Sequence, residues 1–129
     1  MRAEGGRAAT GREGEDAAAR YLEAQGCRVL ARNWRANPGE IDIVAECPPG
    51  PGEREPTLAF VEVRTRHGEP GLAEESITPR KAASMAAAAY AYMLAHDIDP
   101  EATPWRIDLV AVAVRGTRVL DLNWAAGVV

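Results

Sequence analysis

Three aliphatic stretches of this chain carry a carboxylate where apolar residues are expected: Asp42 in GEIDIVAE, Glu62 in FVEVRTR and Asp108 in WRIDLVAVAV. Read as strands, their side chains alternate between faces, so Phe60, Glu62, Arg64 and Arg66 share one face while Val61, Val63 and Thr65 share the other. By the same rule Glu40, Asp42 and Val44 oppose Ile41, Ile43 and Ala45, and Arg106, Asp108, Val110 and Val112 oppose Ile107, Leu109 and Ala111. Glu62 and Arg64 then stand roughly 7 Å apart on one face. A single E-x-R of this kind is explained by an ion pair on a solvated sheet. Acids in three strands are a different matter if those strands are neighbours, because like charges held close are destabilising unless a cation, a proton or an arginine sits among them. Converging carboxylates are also the oxygen donors that Mg²⁺ takes.

Other charged residues extend the pattern. Glu15 precedes Ala18 and Leu22 by three and seven residues, which aligns it with the apolar stripe of a helix rather than with the solvated Arg20 and Glu23. A glutamate favoured by a helix N-terminus accounts for the same placement. Arg80 and Lys81 fall in the first turn of a second helix, where the dipole and free N–H groups favour anions. A phosphate docked there would offset them; the alternative is that both are solvated and pair with Glu74 or Glu75. With Arg64, Arg66 and His67 near the end of the Glu62 strand, the chain offers a small basic rim beside an acidic cluster. That combination suits a phosphodiester held by cations and cut at a metal ion.

The elements that must position these groups follow from local signals. Residues 1–9 are small and polar without periodicity and read as a disordered arm, leaving residues 10–129 as one domain. Thr10-Gly11-Arg12-Glu13 has the capping-box pattern, Ala17, Ala18, Tyr21 and Leu22 supply an apolar stripe, and Gly26 is placed to end that helix. CRVLARNWR reads as a strand, ANPG as a turn into the Asp42 strand, and the Pro- and Gly-rich Glu46–Pro56 as a hairpin connection to the Glu62 strand. Thr78-Pro79 opens the second helix, whose Ala82, Met85, Ala86, Ala89 and Met93 recur at core-facing spacing.

Composition narrows the function classes. A chain of 129 residues fits one domain able to bury a real core. It has no apolar run near membrane-spanning length, and its first residues lack the hydrophobic segment of a secretory signal, so the expected location is cytoplasmic with no membrane partner. Cys27 and Cys47 show no zinc-ligand spacing and read as reduced structural thiols. The formal net charge of −4 argues against a global basic surface, so phosphate binding must be local.

The ordered set GREGEDAAARYLEAQGCRVLARNWR, GEIDIVA, FVEVRTR and RIDLVAV, covering residues 11 to 114, resembles the small bacterial YraN-type family. That family is similar to the restriction-endonuclease-like superfamily and, in layout, to archaeal Holliday-junction resolvases. The resemblance implies an α/β fold with a central mixed β-sheet of about four or five strands flanked by two helices, in the order αβββαβ. It also implies a site made of an Asp in one strand, a D/E-x-K in the next and a Glu from the first helix. Those positions fall on Asp42, Glu62, Arg64 in place of the Lys, and Glu15. Asp42 and Glu62 would be the ligands of Mg²⁺ or Mn²⁺, with Arg66, Arg80 and Lys81 contacting nucleic acid. Glu40 and Asp108 lie outside that pattern.

Arg64 departs from the pattern in a way that matters chemically. A lysine can help position or deprotonate an attacking water, whereas arginine stays protonated and instead binds a phosphate oxygen or stabilises developing charge. The expected function is a Mg²⁺-dependent endonuclease or junction-resolving enzyme acting on structured DNA, for which a homodimer would be favoured. Two other readings stand beside it: a non-catalytic nucleic-acid-binding module whose acids pair with Arg64, Arg66 or Arg106, and a protein-interaction domain on a nuclease-like scaffold.

Overall fold

Rich in alanine and free of proline, the first segment forms α1 (Arg2–Ala24). The helix begins well before the capping box at Thr10, so residues 2–9, expected as an arm, continue its backbone. Ala3, Ala8 and Ala9 are strong helix formers, and Gly5 and Gly6 cost only about 1 kcal/mol each relative to alanine. Gly26 ends the helix as expected, with φ 97°, and the Cys27 N–H donates to the Leu22 carbonyl at 3.0 Å. The computed structural model describes residues 2–37, 39–68 and 76–129. Pro38 of the expected turn, Glu74 and Glu75 lie outside them.

Five strands follow, interrupted by one further helix: β1 (Arg28–Ala36), β2 (Gly39–Cys47), β3 (Thr57–His67), α2 (Pro79–Ala95), β4 (Trp105–Arg115) and β5 (Arg118–Ala125). They form one mixed sheet in the order β1-β2-β3-β4-β5. Neighbours are antiparallel except β3 and β4, which run parallel and are connected through α2. This is the expected α/β layout with β5 added to the αβββαβ core, as a hairpin partner that shields the far side of β4.

The two helices cover opposite faces. Ala18 and Leu22 of α1 pack on Ile43, Ala45, Val61, Val110 and Val112. Met85, Ala88, Ala89, Tyr92 and Met93 of α2 pack on Ile41, Val44, Phe60 and Ile107. The expected helical stripe is thus shifted: Ala88 and Tyr92 are buried, whereas Ala82 and Ala86 are half-buried. Each helix approaches the sheet at a glycine. A Cβ on Gly14 would run into the Thr65 hydroxyl, and one on Gly39 into the Ser84 carbonyl. In α2, Thr78 caps the N-terminus by accepting from the Lys81 N–H at 3.1 Å, with Pro79 following.

One expectation fails here. Cys27 and Cys47 are joined in a disulfide, with Cα atoms 4.1 Å apart, rather than standing as two reduced thiols. Both lie in the core on the α1 side, because Gly26 turns the chain back so that Cys27 meets the end of β2. None of the described helices is long and apolar enough to cross a membrane.

Candidate active site at the fork between β2 and β3

The strands β2 and β3 pair from Cys47↔Thr57 to Ile43↔Val61 and then part, while β3 stays paired with β4 as far as His67↔Val114. At the fork the Val63 N–H has no β2 backbone partner. It donates instead to Asp42 Oδ2 at 2.8 Å, so a carboxylate takes the place of a ladder carbonyl. On the other side, Asn33 lies opposite Asp42, between the pairs Arg32↔Ile43 and Trp34↔Ile41, and has φ 55°. That left-handed residue, tolerated by asparagine, departs from strand geometry while the register on either side of it is kept.

The alternation along β2 slips at the same point. Ile41 and Val44 pack under α2, whereas Ile43 and Ala45 pack under α1. This corrects the strict alternation that set Glu40, Asp42 and Val44 against Ile41, Ile43 and Ala45. Asp42 therefore sits at a hinge in the sheet, within the field of groups from both faces. Its pKa is pushed up to about 7, chiefly by burial, and further by the carboxylates of Glu62, Glu15 and Glu40; the Val63 N–H opposes the shift.

Glu62 lies on the α2 face, its side chain 13% exposed, between two cations. Arg64 Nε is 3.5 Å from its Oε2 and Lys81 Nζ is 3.5 Å from its Oε1. Arg64 is further anchored by donating through Nη1 to the Ser76 carbonyl at 2.6 Å. Glu15 belongs to the middle of α1, not to a helix terminus, and points toward β1. Its Oε1 accepts from Arg32 Nη2 and Asn33 Nδ2, both at 3.1 Å, and Arg32 is shared with Asp16 at 2.8 Å. Arg66 is half-buried further along β3, and Arg80 is exposed in the first turn of α2.

Sequence reasoning missed several of these relations. Lys81, expected to contact nucleic acid at the start of the second helix, stands against Glu62 itself; its place in the first turn of α2 was readable, but the packing of α2 over β3 was not. Glu40 bears on Asp42 although it lies outside the motif, which its spacing of two residues could have suggested. Arg32 and Asn33, which hold Glu15, carried no signal in sequence.

Asp108, by contrast, does not join the cluster. It is fully buried and satisfied: Arg106 Nε donates to its two oxygens at 2.9 and 3.2 Å, Trp124 Nε1 to Oδ2 at 2.9 Å, and the Gly127 N–H to Oδ1 at 2.9 Å. It ties β5 and the C-terminal segment to β4.

Among the described residues no group of three or more His, Cys, Asp or Glu side chains is arranged to hold a metal ion by itself. The donor chemistry at the fork nevertheless fits Mg²⁺ or Mn²⁺. Such a cation is commonly held by one or two carboxylates together with waters and substrate phosphate, and Asp42 is a carboxylate set among others whose repulsion a cation would relieve, with Glu62 as the second oxygen donor.

Comparison with known proteins shows the family of the chain. The model of a family described as "Uncharacterised protein family UPF0102" matches residues 14–112, a span that contains Glu15, Asp42, Glu62, Arg64 and Lys81. A UPF0102 protein of Roseiflexus castenholzii is 51% identical over 120 residues, covering 92% of this chain and 90% of the relative. One from Chloroflexus aurantiacus is 47% identical over 113 residues (88% and 86%), and one from Ralstonia nicotianae 41% over 127 residues (95% and 90%). With its α/β fold, a family match over most of its length and relatives covered nearly end to end, the chain belongs to the UPF0102 family, the YraN-type family that its motifs resemble.

Proposed function

We propose that this protein is a metal-dependent phosphodiesterase, an endonuclease or junction-resolving enzyme acting on structured DNA in the cytoplasm. The observation that carries the proposal is Asp42 at the fork: a carboxylate held by the Val63 N–H, with Glu62, Glu15 and Glu40 bearing on its charge. Asp42 and Glu62 are the residues to hold Mg²⁺ or Mn²⁺. When bound, the cation stabilises negative charge on the phosphate and makes a water more acidic. Glu15, fixed by Arg32 and Asn33, supports Asp42 from the α1 side.

The cations have separable roles. Arg64 cannot act as a base, and its guanidinium, anchored on Ser76, is suited to bind a phosphate oxygen. Lys81 brings an amine to Glu62 from α2, and an amine can exchange a proton with a water where a guanidinium cannot. It offers the function that Arg64 does not. In a cytoplasmic setting the Cys27–Cys47 bridge would be transient, since thiols there are kept reduced.

A second reading has an observation of its own: both Glu62 oxygens already face cations, as a metal-free nucleic-acid-binding module would require. The two are separated by a cleavage assay on flap, four-way junction and single-stranded DNA with Mg²⁺ or Mn²⁺. The proposal expects cleavage that disappears in Glu62→Ala. DNA binding without cleavage under every metal condition supports the metal-free module instead.

A further inference from the structure

Beside the fork, between the start of β2 and the first turns of α2, lies an open pocket of about 430 Å³ lined by Arg35, Asn37, Gly39, Glu40, Lys81 and Ser84. Two of these residues also belong to the surroundings of the candidate site. Lys81 Nζ reaches Glu62 Oε1 at 3.5 Å, and Glu40 stands two residues before Asp42 on β2. The pocket and the site therefore share walls. Its base exists because Gly39 has no side chain: a Cβ there would collide with the Ser84 carbonyl, so β2 and α2 approach closely.

The lining decides the ligand. It contains two cations, one carboxylate, an amide and a hydroxyl, and no aliphatic or aromatic side chain beyond the stems of the charged residues. A nucleobase would find no ring to stack on. A sugar-phosphate finds Arg35 and Lys81 for its phosphate and neutral donors at Asn37 and Ser84. Arg35 is not locked away from such a ligand: its side chain is 79% exposed, and its ion pair with Glu40 is long, at 3.5 Å. Pairs of that kind are weak, and a phosphate can displace the carboxylate.

We infer that this pocket is a phosphodiester subsite that holds the backbone of the nucleotide adjoining the one at Asp42 and Glu62. The inference rests on the nucleic-acid substrate proposed above. It gives Arg35, Asn37 and Ser84 a role in gripping the strand, and it makes Lys81 the residue common to both positions.

The test is a salt titration of binding, read by fluorescence anisotropy on a labelled four-way junction in metal-free buffer with chelator, so that cleavage plays no part. Arg35→Ala should weaken binding several-fold and flatten the dependence of log affinity on log salt by about 0.9 for a lost duplex phosphate contact. Ser84→Glu, which places a carboxylate in the pocket, should weaken it at least as much. Arg54→Ala, an equal change of charge in the exposed connection at the opposite end of β2, should leave both quantities near wild type. An Arg35→Ala protein with wild-type affinity and slope overturns the inference, as does an equal loss in Arg54→Ala or a wild-type protein with no salt-dependent binding. Binding that responds to Arg35 in a protein that never cleaves DNA would defeat the catalytic reading and leave the subsite standing. Cleavage with an unaltered Arg35→Ala slope would do the reverse.

Discussion

Replacing Asp42 with asparagine should stabilise the protein at neutral and alkaline pH while removing its proposed cation site. Asn is nearly isosteric and can still accept the Val63 N–H bond that Asp42 Oδ2 accepts at 2.8 Å. The folded protein keeps a proton on Asp42 up to a pH of about 7, whereas an ordinary aspartate loses it near 3.8. Between those values the folded state binds more protons than the unfolded chain, so stability falls as pH rises. The contribution is fully present below about pH 4 and lost as pH passes through 7. The full shift corresponds to about 4 kcal/mol; because Asp42 is only half-buried, solvent screening reduces this to about 2–4 kcal/mol. Urea unfolding of both proteins across pH 4 to 8.5 reads the difference directly. Asp42→Asn should match wild type near pH 4 and exceed it by that amount above pH 8. A difference that stays constant with pH, or a variant less stable than wild type at pH 8, would refute the electrostatic picture of the fork.

Three further outcomes follow from the geometry. Asp108→Ala should cost about 1–3 kcal/mol, since it takes the shared acceptor away from the part-buried donors of Arg106, Trp124 and Gly127, and thermal unfolding should show the loss without any change in cation binding. Asn33→Ala should be less stable than Asn33→Gly by about 1 kcal/mol, because φ 55° is costly for alanine and free for glycine; the same unfolding assay compares them. In single-turnover cleavage, Arg64→Lys should retain activity, as it keeps the positive charge, whereas Arg64→Ala should lose about 10²-fold; equal rates for the two would remove Arg64 from the phosphate.

The parts of this architecture that local chemistry writes were legible in the sequence. Gly26 ends α1, Thr78 and Pro79 start α2, and aliphatic runs mark β2, β3 and β4 with their interior acids. What was not legible depends on contacts distant along the chain. The slip of alternation between Ile41 and Ile43 arises where β3 leaves β2 and where Asn33 adopts a positive φ, neither of which a period-two pattern encodes. Asp108 looked equivalent to Asp42 because both interrupt aliphatic runs. Its partners Trp124 and Gly127 lie 16 and 19 residues away, beyond any motif window. Lys81 reaches Glu62 only because α2 packs over the face of the sheet that carries Phe60 and Glu62. Cys27 and Cys47 pair because two chain reversals return β2 to the end of α1, which spacing alone does not reveal.

The central claim, that Asp42 and Glu62 form a cation site, is tested most directly by calorimetric titration of Mn²⁺ at pH 7, repeated in two buffers of different ionisation enthalpy. With Asp42 titrating at about 7, binding should release about half a proton from that carboxyl, and both the binding and the proton release should vanish in Asp42→Asn. Wild-type protein that binds no Mn²⁺, or an Asp42→Asn variant that binds it with unchanged affinity, would contradict the claim.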